Sequence, residues 1–366
     1  MVRVRLGEQM AYRVIQWATG NVGTHALRAI IERDDLELVG LKVYDPAKAG
    51  MDAGELVGLP PTGIKAIVDV DELLKIEADC INYNALGTTT ADPLGAPLDD
   101  IIRCLEAGYN VTTSAIDHLI HPPFLPPEVR SRIEAACQKG QTTLFGSGVN
   151  PGFTMDLVPI TFSRVSRTID SIHILESISM AEYTAVGPMT FMGFGQAPDA
   201  FSYLDDMHSV KEKSVFYASL LQVAEAIGFE LEDVIYRRES ALTDTDLELP
   251  FGTIKAGTVA VQRLWFIGVS KGREVLRNEF VWRISDDIAP EWGIGDRWVM
   301  KVDGDPTLEV ECKARTQMDA KRPTSITVAM APLNAIPTVC KAPPGFASPL
   351  TLPTWGGGYL SGKAHA

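Results

Sequence analysis

The sequence predicts an α/β protein: a Rossmann-like, doubly wound parallel sheet, followed by a second α+β domain built on an open, mainly antiparallel sheet. Three observations support this fold class. An apolar run, a glycine-rich turn and a helical pattern follow one another within residues 12–31. Short apolar strands then alternate with helical segments to about residue 150. Beyond residue 153 the strands lengthen, and apolar side chains alternate with polar ones.

The first strand, turn and helix are typical of a dinucleotide-binding unit. The turn consists of Thr19, Gly20, Asn21, Val22 and Gly23. Ala18 occupies the first glycine slot of the G-x-G-x-x-G pattern, so this turn must accept a methyl group. The second strand leads to Asp45, close to the spacing of roughly 20 residues at which an acidic side chain meets a ribose hydroxyl. We predict NAD or NADP as the cofactor, since Asp45 favours NAD and Lys48 leaves NADP open. Such a turn also occurs in βαβ units without a nucleotide.

The remaining elements of this first domain, residues 1–153, follow in the order that a parallel sheet requires. We expect helices at 71–76, 98–107 and 127–139, and strands at 38–43, 65–68, 79–87, 110–115 and 142–145. The helix at 98–107 has apolar residues at helical spacing and stops at Gly108.

Residues 154–325 are predicted to form a substrate and dimerisation domain. A connecting helix at 156–166 and an amphipathic helix at 214–227 accompany strands at 171–179, 258–269, 275–284 and 298–312, with a turn at 303–305. A last helix, from residue 324 to roughly 339, and the tail after it form a C-terminal segment, residues 326–366, that returns to the first domain. The open antiparallel face predicts a homodimer.

The composition excludes several classes of function. Of 366 residues, 46% are hydrophobic and 22% charged, and the net charge of −14 argues against binding to nucleic acid or to an anionic membrane. No apolar run reaches the ~18 residues of a membrane span, and residues 1–10 lack the apolar segment of a secretory signal. Five cysteines without a C-x-x-C pair argue against a disulfide framework, so we expect a cytoplasmic protein.

Five further stretches identify a family when they are taken in order. They are Trp17-Ala-Thr-Gly-Asn-Val-Gly23, Asp52-Ala-Gly-Glu-Leu56, Asn110-Val-Thr-Thr-Ser114, Gly146-Ser-Gly-Val-Asn-Pro-Gly152, and Asn334-Ala-Ile-Pro337 with Ala342-Pro-Pro-Gly345. Together they resemble the dihydrodipicolinate-reductase-like family, in particular its branch of amine and 2,4-diaminopentanoate dehydrogenases. Dihydrodipicolinate reductases carry a His-His pair and a lysine after the first strand of their second domain. The corresponding stretch here, 174–183, has neither, so we reject that activity.

The resemblance implies a nicotinamide cofactor across the carboxyl ends of the parallel strands. It implies pyrophosphate contacts for residues 19–23 and a ribose contact for Asp45. Nearer the nicotinamide and its carboxamide it implies contacts for Asn84, Ala85, Thr113, Ser114, Asn150, Pro151 and Asn334. Strand-end hydrogen bonding is an equal alternative for Thr113 and Ser114. An N-cap role in the last helix is the alternative for Asn334.

The resemblance also places the catalytic group in the loop after the strand at 110–115. In the amine dehydrogenase branch an acidic residue there exchanges protons with the substrate nitrogen, and Asp117 and His118 fall on the two acidic slots. A carboxylate with a pKa raised by burial would suit this role, whereas Asp117 could instead bond its own backbone. Tyr183 would orient substrate or pack at an interface. No metal site is predicted, because His118 and His121 lack a third ligand nearby.

These features predict an NAD(P)-dependent amine dehydrogenase that catalyses reductive amination of small ketones or aldehydes with ammonia, and the reverse deamination. The apolar stretch 188–195 fits a pocket wall for an apolar substrate and a core segment equally well. Two alternatives stay open. One is a dehydrogenase of ketones or hydroxy acids, which needs no ammonia, and the other is a nucleotide-binding regulatory protein without turnover.

Overall fold

The computed structural model describes residues 11–85, 95–184, 186–208, 214–315 and 323–358. The chain divides into two compact units. The first comprises the N-terminal segment up to Gly152 and the C-terminal segment from Thr324, and the second comprises Phe153–Pro323. These boundaries lie close to those predicted at residues 153 and 325.

The first unit is built on a seven-stranded sheet in which all neighbours are parallel. Its strands are β1 (Tyr12–Trp17), β2 (Leu36–Lys42), β3 (Ala66–Ile67), β4 (Cys80–Tyr83), β5 (Asn110–Thr113), β6 (Thr143–Gly146) and β15 (Gly345–Ala347). The order is β15-β6-β5-β4-β1-β2-β3. The chain therefore winds outward from β1 in one direction and from β4 in the other, which creates a topological switch point between these two strands.

Helices cover both faces of this sheet, and both faces of its central strands are buried. The helices are α1 (Asn21–Glu32), α2 (Val70–Leu73), α3 (Gly95–Glu106), α4 (Pro127–Gly140) and α9 (Pro323–Val339). Helices α1 and α9 pack on the face that carries Val14 and Cys80. The other three pack on the face that carries Ile15 and Ile81. Burial on both faces explains why β1 and β4 read as nearly continuous apolar runs.

The second unit is built on a six-stranded sheet. Its strands are β7 (Thr168–Ser179), β8 (Asp233–Leu242), β11 (Val259–Ser270), β12 (Arg273–Arg283), β13 (Arg297–Asp305) and β14 (Leu308–Cys312), in the order β14-β13-β7-β12-β11-β8. Only the pair β7 and β12 is parallel. A separate hairpin joins β9 (Leu247–Leu249) to β10 (Gly252–Ile254).

One face of this second sheet is covered by helices of the same unit. They are α5 (Leu157–Ser163), α6 (Val186–Phe191), α7 (Tyr203–His208) and α8 (Val215–Ile227). Phe216 of α8 packs its ring against Phe280 and Phe266, with ring centroids 4.4 and 5.2 Å apart. Met189 and Phe194 are buried, so the core interpretation of the apolar stretch applies to these two side chains.

The predicted fold class is confirmed, with corrections to single elements. Four strands, β8, β9, β10 and β15, were not predicted. The turn expected at 303–305 lies later, at Pro306 and Thr307, because β13 continues to Asp305. The strand predicted at 79–87 ends at Tyr83, and residues 86 and 87 lie outside the described ranges, as do residues 1–10. Within the described ranges, no helix has both the length and the hydropathy needed to cross a membrane.

Candidate active site

Most of the side chains predicted to bind a cofactor lie at one edge of the first sheet. Because β1, β2, β4 and β5 are parallel, the segments that follow them emerge at the same edge. These segments contain Thr19–Gly23 after β1, Asp45 after β2, Asn84 and Ala85 after β4, and Ser114 after β5. The sheet thus brings together groups that are far apart in sequence.

The glycine turn leaves the N-terminus of α1 available to a ligand. Gly20 is the N-cap of α1 and makes no side-chain capping bond, so the first N–H groups of the helix lack a side-chain partner. No atom lies within 4 Å of the position where a Cβ of Gly20 would stand. A Cβ on Gly23 would overlap the carbonyl oxygen of Ala18, which explains the glycine there. Ala18 itself has φ 76°, the left-handed conformation that favours glycine.

Asp45 and Lys48 place opposite charges beside this turn. Asp45 is exposed, and its Oδ1 accepts a hydrogen bond of 2.9 Å from the N–H of Ala47. Lys48 Nζ donates to the carbonyl oxygen of Thr19 at 3.3 Å and to its Oγ1 at 3.1 Å. The carboxylate suits a ribose diol, whereas the ammonium suits a phosphate.

An aromatic cluster that the sequence analysis missed lies next to Asp45. The Tyr44 ring is half-exposed, and its hydroxyl oxygen accepts a 2.9 Å hydrogen bond from Trp17 Nε1. The ammonium of Lys42 lies 4.0 Å from the centroid of the Tyr44 ring, and burial lowers the pKa of Lys42. The Tyr44 and Tyr83 hydroxyls both donate to Asp100 Oδ2. The signal in the sequence was an aromatic residue, Tyr44, directly before the acidic one.

Asn84 and Ser114 are joined at the ends of β4 and β5, whereas Thr113 turns away. Asn84 Nδ2 donates to Ser114 Oγ at 2.9 Å. Thr113 Oγ1 donates to the carbonyl oxygen of Tyr83 and accepts from the N–H of Ala115, and the Thr113 side chain is fully buried. Strand-end hydrogen bonding, the alternative weighed for Thr113, describes its side chain.

The loop after β6 contains an acceptor that fits an amide ligand. Asn150 Oδ1 is buried, and no donor in the described part of the chain hydrogen-bonds to it. A buried carbonyl oxygen without a donor is rare, because its desolvation is not compensated. The adjoining peptide bond, Asn150–Pro151, is cis. A Cβ on Gly152 would overlap the backbone nitrogen of Gly148, so the loop is tightly closed.

Asp117 opens a short 3₁₀ turn, Asp117–Ile120, that packs on the end of β6. A Cβ on Gly146 would lie 2.6 Å from Leu119 Cβ, so this close approach requires glycine. Asp117 is exposed to solvent, yet the protein around it removes enough water to raise the pKa of its carboxyl group to about 6. An acidic group with such a pKa can exchange protons near neutral pH.

His118 in this turn and His121 directly after it are buried rather than open to solvent. His118 stacks on Phe124 with ring centroids 6.3 Å apart. Burial lowers the pKa of His121 to about 4, so its imidazole is neutral at physiological pH. No group of potential metal ligands occurs among the described residues. Of the two acidic-slot candidates, only Asp117 is exposed.

Two further predicted site residues are Tyr183 and Asn334. Tyr183 belongs to the second unit, where its N–H donates to the Met180 carbonyl in the turn after β7. Asn334 lies inside α9, so the N-cap alternative is wrong. Asn334 Oδ1 accepts from Arg33 at the C-terminal end of α1 and from the N–H of Gly358. Because α1 runs back from the carboxyl edge, these contacts correct the prediction: Asn334 is a structural residue at the opposite edge.

The Asp52 motif also proves structural. Asp52 is buried, and its carboxylate accepts 2.9 Å hydrogen bonds from the N–H groups of Gly54, Thr62 and Gly63. These hydrogen bonds, of which the one from the Thr62 N–H has the largest effect, lower the pKa of Asp52 to about 2. The carboxylate therefore fixes the loop between β2 and β3.

Comparisons with known proteins point to one group of enzymes. A family model for the C-terminal domain of 2,4-diaminopentanoate dehydrogenase matches residues 153–357. An amine dehydrogenase of Streptomyces virginiae is 30% identical over 349 residues, which cover 93% of this chain and 95% of that protein. A 2,4-diaminopentanoate dehydrogenase of Acetoanaerobium sticklandii is 26% identical over 70% of this chain and 69% of its own length. The structure of an amine dehydrogenase from Mycobacterium smegmatis has the same fold, with a TM-score of 0.73 at 19% identity over 94% of this chain and 96% of that one.

Proposed function

The chain belongs to the family of amine dehydrogenases and 2,4-diaminopentanoate dehydrogenases, and from this premise we propose that it is an NAD(P)-dependent oxidoreductase acting on CH–NH2 and C=N groups. The reaction is the reductive amination of a small ketone or aldehyde with ammonia, and the reverse deamination. One observation carries the proposal. The carboxyl edge of one parallel sheet combines an uncapped helix N-terminus with an acidic side chain whose pKa is about 6.

We assign the cofactor to this edge, because the residues present fit it. The N–H groups at the start of α1 suit a pyrophosphate. The buried Asn150 Oδ1 suits the N–H of a carboxamide, and the Asn84–Ser114 pair lies between these two places in the sheet order. When bound, the nicotinamide ring supplies the hydride exchange with the substrate carbon.

The Asp117 carboxylate handles the proton and the positive charge on nitrogen. In the direction of deamination, the ionised Asp117 accepts a proton from the substrate ammonium, and the carbon of the resulting amine gives up a hydride, which leaves an iminium. Water then converts the iminium to a carbonyl compound and ammonia. In the direction of amination, the same carboxylate holds the ammonium or iminium by charge. Tyr183 is proposed to orient the substrate.

The preference between NAD and NADP depends on Asp45 and Lys48. We propose NAD, because the exposed Asp45 carboxylate would repel a 2′-phosphate. Lys48 is already hydrogen-bonded to Thr19, which commits its ammonium to the turn. The half-exposed Tyr44 ring, fixed through its hydroxyl by Trp17, offers a flat surface for the adenine base.

We propose that the protein is a homodimer and cytoplasmic. The face of the second sheet opposite α8 carries the half-exposed His173, which pairs with the buried Glu279, and the buried Trp265, on which Arg263 stacks. Such a mixture of aromatic and paired charged groups suits an interface between two copies. All five cysteines are free thiols, as a reducing compartment requires.

A substrate panel tests the activity. Ketones and aldehydes are assayed with NADH and with NADPH, each with and without ammonium. Oxidation of the reduced coenzyme that requires ammonium is the expected result. Turnover without ammonium would identify a dehydrogenase of ketones or hydroxy acids. Coenzyme binding without turnover for any substrate would identify a regulatory protein.

A further inference from the structure

A chain of polar side chains crosses the core of the first sheet, directly behind the proposed cofactor edge. Gln16, Asn82 and Thr112 stand opposite one another in register on β1, β4 and β5, and all three are fully buried. Asn84, two residues beyond Asn82, extends the chain to Ser114. Burying an amide side chain costs free energy of desolvation unless each of its donors and acceptors is hydrogen-bonded. A buried network in this position therefore indicates a specific role.

The direction of each amide follows from two backbone carbonyls. Gln16 Nε2 lies 3.2 Å from the carbonyl oxygen of Trp17 and 3.0 Å from that of Ala18. Carbonyl oxygens only accept, so the amide nitrogen of Gln16 must face them. Gln16 Oε1 therefore faces Asn82 Nδ2, at 2.8 Å, and Asn82 Oδ1 accepts from the hydroxyl of Thr112 at 3.1 Å.

The orientation of Asn84 is fixed by the same chain. Its Oδ1 receives two hydrogen bonds, from Gln16 Nε2 at 3.0 Å and from Asn82 Nδ2 at 2.7 Å. A flipped Asn84 amide would set its NH2 group against two donors, which is unfavourable. Asn84 thus turns its NH2 group away from Gln16 and Asn82, and its Nδ2 donates to Ser114 Oγ at 2.9 Å.

Gln16 also acts on the glycine turn. Ala18 has φ 76°, a left-handed conformation that is unfavourable for a residue other than glycine. The hydrogen bond from Gln16 Nε2 to the Ala18 carbonyl holds this peptide in place. One amide group therefore connects the start of the turn to the side chain of Asn84.

We propose that Gln16 and Asn82 are positioning residues. They hold the Asn84 amide so that the edge presents an N–H donor, never an acceptor, to an oxygen of the nicotinamide half of the coenzyme, and Gln16 also holds the Ala18 turn. The inference rests on the proposed cofactor site. It assigns the two residues different effects: Asn82 acts on the nicotinamide half alone, whereas Gln16 acts on the turn as well.

Binding of the two halves of the coenzyme tests this assignment without turnover. The probes are reduced nicotinamide mononucleotide and ADP-ribose, titrated into wild type, Asn82→Leu and Gln16→Met, with the thermal midpoint measured for each. We expect Asn82→Leu to raise the dissociation constant of the mononucleotide about tenfold, as the loss of one or two hydrogen bonds would. The dissociation constant of ADP-ribose should stay within about twofold of the wild-type value. Gln16→Met should raise the dissociation constants of both probes about tenfold, because Gln16 also holds the turn that is proposed to bind the pyrophosphate.

A milder variant and a double variant complete the test. Thr112→Val removes only the hydroxyl that fixes Asn82. It should also weaken binding of the mononucleotide, but by a smaller factor than Asn82→Leu does. Asn82→Leu combined with Asn84→Leu should bind the mononucleotide no more weakly than Asn84→Leu alone, because Asn82 acts through Asn84. Additive losses would overturn the proposal. So would an Asn82→Leu protein that has a lower thermal midpoint but unchanged, or equally weakened, binding of the two probes.

Failure of this inference and failure of the proposed activity can be told apart. A wild-type protein that binds both probes with the expected variant pattern, but turns over no amine or ketone, would refute only the activity. A wild-type protein that binds neither probe would refute the cofactor site and this inference together.

Discussion

The sharpest test of the proposed chemistry replaces the carboxylate of Asp117 by an amide. Asp117→Asn keeps the size of the side chain and removes its ability to accept a proton. Loss of a general base lowers turnover by about 10²- to 10⁴-fold. The raised pKa adds a second, pH-dependent signature that a loss of structure would not produce.

The magnitude of this signature follows from the pKa of about 6. Such a group is about 90% ionised at pH 7 and about 10% ionised at pH 5, whereas an ordinary aspartate is still more than about 90% ionised at pH 5. The ratio of kcat/KM for wild type to kcat/KM for Asp117→Asn should therefore fall about tenfold between pH 7 and pH 5. With an ordinary pKa it would fall by less than about 10%.

The assay is kcat/KM for oxidation of an amine across this range, expressed as the ratio of wild type to variant. Protonation of the free amine affects both proteins equally and cancels in the ratio. The matched control is Asp99→Asn, an exposed carboxylate paired with Arg132, for which the ratio should stay near one at every pH. A ratio for Asp117→Asn that does not change with pH would refute the role of Asp117 as base, even if activity were low.

Three further predictions concern other parts of the first unit. Asp45→Ala should raise kcat/KM with NADP relative to NAD by about tenfold, because the repulsion of a 2′-phosphate is removed. Gly146→Ala should lower the free energy of unfolding by about 1–3 kcal/mol, and turnover with it, because the new Cβ pushes against Leu119. Asp52 has a folded pKa of about 2, below its unfolded value of 3.8, so its contribution to stability is present above pH 4 and is lost as the pH falls towards 2. Urea unfolding of Asp52→Asn should therefore show a lower stability at pH 7 and a flatter dependence on pH below 4.

Each of these has a control or a contradicting outcome. An unchanged coenzyme preference in Asp45→Ala would remove Asp45 from coenzyme recognition. Gly187→Ala, whose Cβ would meet no atom within 4 Å, should leave both stability and turnover unchanged. If Gly146→Ala behaves like Gly187→Ala, the 3₁₀ turn of Asp117 does not depend on the close approach to β6. An Asp52→Asn protein whose stability follows wild type at pH 7 would show that the carboxylate is not needed in its loop.

The fold followed from the sequence where the physical cause is local. Neighbouring residues determine the strand at 12–17, the turn at 18–23 and the helix after it. The apolar runs that follow are typical of strands buried on both faces. The position of Ala18 in the first glycine slot could be read from the motif, and the structure adds that its φ is 76°, a conformation that favours glycine. Four strands were not predicted, also for a physical reason. β9, β10 and β15 have three residues each, and β8 is an edge strand whose pattern is broken by consecutive charges at 237–239.

In the candidate site, too, some features were determined by the sequence and others only by the tertiary structure. Sequence spacing placed Thr19–Gly23 and Asp45 near the ends of their strands, because those ends are fixed by the strands themselves. Only the tertiary structure decided which amide Gln16 fixes, that the Thr113 side chain bonds the backbone of Tyr83 and Ala115, and that Asn334 belongs to the opposite edge. The raised pKa of Asp117 belongs to this second class too. It depends on how much water the surrounding protein removes, and that quantity is a property of the packed chain rather than of any stretch of residues.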